Sequence, residues 1–125
     1  MLRGHGWDAH YVFEVHIQVL DEKWQIYRRY SKFRELHDYM KQKIPAIRAL
    51  SFPPKKIFTN WSEKAIARRR GELEVYLRNF ISVCLKNPSC PLSPGPDRVL
   101  SKQTLCDFAT FFRKGAFEMT KYGTG

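Results

Sequence analysis

The stretch RRYSKF, residues 28–33, decides the fold, because an alternating strand pattern ends in it and a helical pattern begins. It places two guanidinium groups, a phenol ring and a helix start within six residues. An arginine presents a rigid fork of donors that matches phosphate oxygens, and a tyrosine face can stack on another ring. The stretch therefore predicts a recognition point for an anion attached to a ring, and the alternative is a solvated strand edge.

The residues before this stretch have the pattern of an antiparallel hairpin. Every second residue from Tyr11 to Leu20 is apolar, residues 21–23 form a polar turn, and the alternation resumes from Trp24 to Arg29. Ser31 is a suitable cap for a first helix over residues 32–43, in which apolar side chains recur at spacings of three and four.

The residues after this helix divide into a loop and two further helices. Residues 47–61 are proline-stiffened and lack periodicity, and Ser62 then caps a long helix that ends at Asn87. At most one of the three arginines at 68–70 can face the core from this helix. Residues 99–113 predict a last short helix, and residues 1–8 a brief edge strand followed by a turn.

Composition limits the classes of function. The 125 residues correspond to one domain, and a net charge of +10 with a pI near 9.8 directs it toward nucleic acid or an anionic membrane surface. We expect no transmembrane or signal segment, and the three cysteines are expected to be reduced thiols of a cytosolic protein. The four histidines lack metal-ligand spacing and no nucleophile motif occurs, so we predict no metal, no cofactor and no enzyme activity.

Three motifs in order are more specific than any one of them: RRYSKF, then FPPKK at residues 52–56, then IARRRGEL at residues 66–73. This order resembles the phox-homology (PX) family of phosphoinositide-binding domains. The FPPKKIF loop and the ending FFRKGAF through GTG are most similar to the C-terminal PX domain of an endosomal kinesin-3 motor, also classed with the sorting nexins.

The resemblance implies an α+β fold. A small antiparallel three-stranded sheet would pack against a bundle of three to four helices with a proline-rich loop. Residues 1–125 would form a single PX domain, with a shortened first strand and a C-terminal extension at residues 114–125.

The resemblance also implies four ligand contacts. Arg29 would bind the 3-phosphate, Tyr30 would lay its ring against the inositol, Lys55 would meet the 1-phosphate, and Arg69 would bind the 4- and 5-hydroxyls. Strict alternation would send Arg29 and Tyr30 to opposite sides of the sheet, so the strand must end at about Arg29. Arg28 is expected to be structural or solvent-facing.

The same loop would enter the bilayer with Ile57 and Phe58. Trp61 has two readings, at the lipid interface or packed on the domain. Of the other basic residues, Lys56 would be a general basic contact, and Arg68 and Arg70 would form a solvated helix face.

The implied function is binding of phosphatidylinositol 3-phosphate on early endosome membranes, from the cytoplasmic side, to recruit a parent motor. The 3,4- and 3,5-bisphosphates and the 3,4,5-trisphosphate remain open as further ligands. Nucleic acid is not expected as a partner, and the parent protein would bind microtubules through a separate domain. The alternatives are a basic protein-interaction module and a nucleic-acid-binding module without lipid specificity.

Overall fold

A two-stranded antiparallel hairpin opens the fold. The structure is a computed structural model that describes residues 11–55 and 62–115. Strand β1 (Val12–Val19) pairs with β2 (Glu22–Arg29) from Val19↔Glu22 to Val12↔Arg29. The hairpin prediction is confirmed, but the turn is shorter than predicted because Leu20, with a φ of 56°, reverses the chain and Glu22 is already paired.

Helix α1 (Tyr30–Lys43) begins directly where β2 ends. The prediction that Ser31 caps this helix is wrong, since Arg29 is the N-cap residue and its side chain makes no capping hydrogen bond. Tyr30 is instead the first member of the buried helix face that continues with Phe33, so burial of its ring sets the helix start. The expectation that the strand ends at Arg29 is confirmed.

A short helix α2 (Pro45–Arg48) follows, with Pro45 at its first turn, where a missing N–H costs nothing. Ile47 is fully buried in this helix, so the predicted loop starts later than residue 47. Helix α3 (Glu63–Lys86) is the longest element, and the cap prediction is confirmed because the Ser62 side chain accepts a hydrogen bond from the Ala65 N–H at 3.0 Å.

The C-terminal part breaks into two pieces where one helix was predicted. Helix α4 (Lys102–Phe108) ends at Ala109, whose backbone is extended, and a 3-10 turn (Thr110–Phe112) follows. The Trp24 indole N–H donates to the Phe112 carbonyl at 2.8 Å and so ties this turn to β2.

The described residues form an α+β domain with one core that all elements share. They contain two strands; the predicted third strand at residues 1–8 and most of the predicted extension at 114–125 lie outside them. All three cysteines are free and buried. Among the described helices none is long and apolar enough to cross a membrane, and the described His, Cys, Asp and Glu residues form no metal-binding group.

Candidate functional site

Two exposed cations mark the surface of the predicted site. Arg29 ends β2, and Lys55 ends the first described part of the chain. Within residues 11–55 and 62–115, neither side chain makes a hydrogen bond or ion pair. Both charges are therefore exposed to solvent and able to meet an anion.

Tyr30 connects the start of α1 to the loop before Lys55. We call residues 52–55 the proline loop. The Tyr30 hydroxyl donates to the Pro53 carbonyl at 2.7 Å, and its ring, only 3% exposed, lies 5.5 Å from the Phe52 ring. The hydroxyl bond fixes the distance between the Arg29 end of the strand and the loop that carries Lys55.

Arg69 brings the long helix to the same point. Its guanidinium donates to the Pro54 carbonyl at 2.6 Å and to the Glu72 carboxylate at 3.1 Å. It also lies 4.9 Å from the centre of the Tyr30 ring, a cation–π distance. With 1% exposure, Arg69 is a buried cation whose charge is met by a carboxylate, a carbonyl and a ring face.

A cluster beneath the proline loop holds it against α1 and α3. We call His37, Phe52 and Tyr76 the loop base. The His37 ring stacks on Phe52 at 5.1 Å and 19°, and Phe52 meets Tyr76 edge to face at 4.9 Å. His37 Nδ1 and the Tyr76 hydroxyl share a hydrogen bond of 2.9 Å. Since Phe52 directly precedes the two prolines, its contacts in the loop base hold the proline loop against α1 and α3.

Electrostatics keep the loop base neutral and its edge positive. Burial lowers the pKa of His37 below its ordinary value, and Lys41 acts in the same direction. Burial raises the pKa of the Tyr76 hydroxyl, so this group keeps its proton. At the edge, a hydrogen bond to Tyr30 raises the pKa of Arg34, whose guanidinium lies 5.7 Å from the Phe52 ring centre.

The structure brings two of the four predicted ligand residues into contact, and the other two follow or precede residues of this contact in the chain. Tyr30 and Arg69 are in contact, Arg29 precedes Tyr30, and Lys55 follows Pro54, which accepts from Arg69. Their roles toward a ligand stay predictions. The insertion residues Ile57, Phe58 and Trp61 lie outside the described residues, as does Lys56.

Arg28 differs from its neighbour Arg29, and of its two expected roles, structural or solvent-facing, the structure shows the structural one. Its guanidinium donates to the carbonyls of Tyr27, Phe111 and Arg113 at 2.9, 3.0 and 2.5 Å. It also lies 5.6 Å from the Phe111 ring centre. Arg28 therefore holds the C-terminal turn to the sheet.

Sequence reasoning missed the loop base, Arg34 and Glu72 as parts of the site. His37 falls on the periodic face of α1 and Phe52 belongs to the FPPKK motif, but neither pattern indicates that these residues support the site. A polar ring on the buried helix face could have indicated a buried partner. Which partner it has depends on residues 15 and 39 positions away, which no local pattern encodes.

The sheet continues directly into a helix, and basic and aromatic side chains gather under a double-proline loop. This arrangement is typical of a small domain that recognises anions. The chain belongs to the PX domain family, whose model matches residues 19–86.

Relatives support the same assignment over the whole chain. The chain is 51% identical to human kinesin-like protein KIF16B over 126 residues, and 46% identical to Drosophila melanogaster kinesin-like protein Klp98A over 127 residues. Each match covers 100% of this chain but 10% of the relative. Mouse sorting nexin-16 is 28% identical over 102 residues, which is 70% of this chain and 28% of that protein. The chain therefore spans about a tenth of the length of the kinesin-like relatives.

Proposed function

We propose that this domain binds phosphatidylinositol 3-phosphate on the cytoplasmic face of early endosomes and recruits its parent protein there. The observation that carries the proposal is the junction of Tyr30 and Arg69 on consecutive carbonyls of the proline loop. Arg29 and Lys55 are both exposed and are the chain neighbours of Tyr30 and Pro54, which supports a site with two cations next to this junction. Membership in the PX family and the similarity to kinesin-like proteins and sorting nexin-16 support it.

Each ligand residue has a chemical role in this proposal. Arg29 binds the 3-phosphate through paired charge-assisted bonds, and Lys55 binds the 1-phosphate with a flexible ammonium group. Tyr30 packs on the inositol ring and Arg69 binds the 4- and 5-hydroxyls, so a phosphate at either position would change that contact. Because the two side chains are buried and bonded to the proline loop, this loop moves aside in the proposal when the headgroup enters.

Membrane residence adds to headgroup recognition. Ile57 and Phe58 enter the acyl layer, with Trp61 at the lipid interface, and each buried side chain contributes about 1.5 to 3 kcal/mol. Basic residues near an anionic leaflet add about 1 kcal/mol each. The headgroup site supplies specificity, and insertion with charge supplies residence.

The proposal treats residues 1–125 as one binding module, with a short first strand, a C-terminal extension and no catalytic step of its own. Its parent is a motor that binds microtubules through another domain, as the similarity to kinesin-like proteins suggests.

A vesicle panel tests the proposal. Vesicles carrying phosphatidylinositol 3-phosphate, each bisphosphate with a 3-phosphate, the 3,4,5-trisphosphate, or phosphatidylserine at matched charge are sedimented with the wild type and with Arg29→Ala. We expect tightest binding to the monophosphate and loss of this preference in Arg29→Ala. Equal binding to all vesicles of equal charge contradicts the proposal.

Oligonucleotide binding distinguishes the nucleic-acid alternative. The net charge of +10 favours some attraction to any polyanion. A nucleic-acid module would bind oligonucleotides with steep salt dependence and would show no preference among phosphoinositides.

A further inference from the structure

A second surface lies between helix α1 and the C-terminal turn, where a groove of about 700 Å³ opens to solvent. We call it the α1 groove. Its floor contains the apolar side chains of Leu36, Met40 and Phe111, all of which are buried. Tyr39, which is 55% exposed, forms part of its wall.

Charges around the α1 groove are mostly of one sign. One carboxylate, Glu35, lies among its lining residues together with four cations: Arg28, Lys32, Arg113 and Lys114. Lys32 pairs with Glu35 at 3.3 Å, and Arg113 pairs with Asp107 at 3.7 Å. In both pairs the cation and the carboxylate are each more than half exposed. Exposed pairs of this kind are weak, so the rim remains positive toward an approaching anion.

The α1 groove faces away from the predicted lipid site. On α1, Tyr30, Arg34 and His37 contact the proline loop, whereas Lys32 and Tyr39 line the groove. At 3.6 residues per turn, these two sets lie on opposite sides of the helix. Arg28 and Arg29 also point to opposite sides, because successive side chains of a strand point to opposite faces of the sheet. Arg28 is the one of the two that lines the α1 groove.

This orientation decides the kind of partner. A flat bilayer that contacts the proline loop cannot also contact the opposite side of α1. With the bilayer at the proline loop, a step that rests on the proposed function, the partner is a soluble chain that reaches the groove while the lipid site is occupied. A positive rim above an apolar floor fits an acidic segment with one large apolar side chain, and Tyr39 supplies the aromatic contact that is enriched in interfaces.

The walls of the groove are held in place before any partner arrives. Arg28, on β2, donates to the carbonyls of Phe111 and Arg113, which also line the groove. A surface that is already ordered loses less entropy on binding than a loop that must fold.

We propose that the α1 groove binds an acidic peptide segment that carries one large apolar side chain, on a surface separate from the lipid site. The apolar side chain lies on the floor beside Met40 and Phe111. The carboxylates meet the rim at Lys32 and Arg113.

Fluorescence polarisation without lipid tests the groove, so the outcome does not depend on the proposed lipid function. The probe is a fluorescein-labelled peptide, Glu-Asp-Glu-Phe-Asp-Glu-Asp, and the protein is the 125-residue chain. We expect the peptide to bind saturably. Lys32→Glu and Arg113→Glu should each weaken this binding about tenfold, because each reverses a charge that lies within a few ångströms of a peptide carboxylate in the proposal. A carboxylate at position 32 lies in the first turn of α1, where the helix dipole favours it, so this variant should fold.

Arg78→Glu is the matched control, because Arg78 is an exposed arginine on α3 outside the α1 groove. We expect it to weaken peptide binding less than twofold, and we expect a peptide with serine in place of phenylalanine to bind about tenfold more weakly. Equal losses from Arg78→Glu, or no loss from the serine peptide, would show diffuse charge attraction and overturn the proposal. Absence of saturable binding, or displacement of the peptide by phosphatidylserine vesicles, would overturn it as well.

Discussion

The Arg69 guanidinium lies 4.9 Å from the centre of the Tyr30 ring, although the two residues belong to different helices. Their side chains donate to the consecutive carbonyls of Pro53 and Pro54. The start of α1, the proline loop and the N-terminal part of α3 are therefore held together by these contacts. We expect a change in any of the three to affect lipid binding.

Arg29→Ala and Arg28→Ala should separate binding from stability. Arg29 is exposed and makes no side-chain bond within the described residues, so its loss should abolish phosphoinositide selectivity with little change in unfolding free energy. Arg28→Ala removes three hydrogen bonds to carbonyls and should cost about 1 to 3 kcal/mol of stability while selectivity persists. Urea unfolding and vesicle sedimentation of both variants measure the two effects. Similar behaviour of the two variants in both assays would contradict this division.

Arg69→Lys should weaken lipid binding at least tenfold and lower the unfolding free energy by about 1 to 3 kcal/mol. A single ammonium group cannot reach the Pro54 carbonyl and Glu72 while covering the Tyr30 ring as the planar guanidinium does. Arg68→Lys is the control, because it makes the same change at an exposed neighbour. If Arg69→Lys matches this control in both measurements, the buried guanidinium is not required.

His37 should make stability depend on pH. Its pKa in the folded protein is lowered, first by burial and then by Lys41, from the ordinary value of 6.5. The unfolded chain therefore binds a proton more readily than the folded domain does. The contribution of His37 is complete above about pH 6.5 and declines as the pH falls from there through the lowered folded pKa.

Urea unfolding at pH 7.5 and pH 5.5 measures this effect. We expect His37→Gln to be less stable than the wild type at pH 7.5 but to lose less stability on acidification. His16→Gln is the control for the loss of an imidazole, since His16 is exposed on β1 and is not packed in the core. A wild-type pH dependence retained in His37→Gln would refute the assignment.

Phe58→Ser and Ile57→Ser should each weaken binding to vesicles roughly tenfold while binding of soluble inositol 1,3-bisphosphate is retained, because only the membrane contact loses apolar area. Val75→Ser removes an apolar side chain that is 59% exposed on α3, and it serves as the control. Vesicle sedimentation and calorimetry with the soluble headgroup separate the two kinds of binding. Equal weakening in both assays would place these residues in the headgroup site instead.

Much of the fold could be predicted because periodicity reports which face of an element is buried. The hairpin, the end of α1 at Lys43 and the cap at Ser62 all follow from local patterns, and the structure confirms them. Helix α1 begins at Tyr30, earlier than the capping pattern at Ser31 predicts. Burial of the Tyr30 ring in the core favours this start over the one that a capping serine would give. The last helix, Lys102–Phe108, is shorter than the predicted range of residues 99–113. The apolar pattern continues into the 3-10 turn, but the extended backbone of Ala109 ends the helix.

By itself the sequence determined that at most one of three consecutive arginines on α3 can face inward, since a helix can turn only one of them toward its apolar stripe. Only the tertiary structure decided what that arginine meets: the Tyr30 ring and the Pro54 carbonyl. It also decided that His37 supports the proline loop, and that Arg28 holds the C-terminal turn while Arg29 remains exposed. These pairings join segments far apart in the chain, and they depend on packing rather than on local spacing.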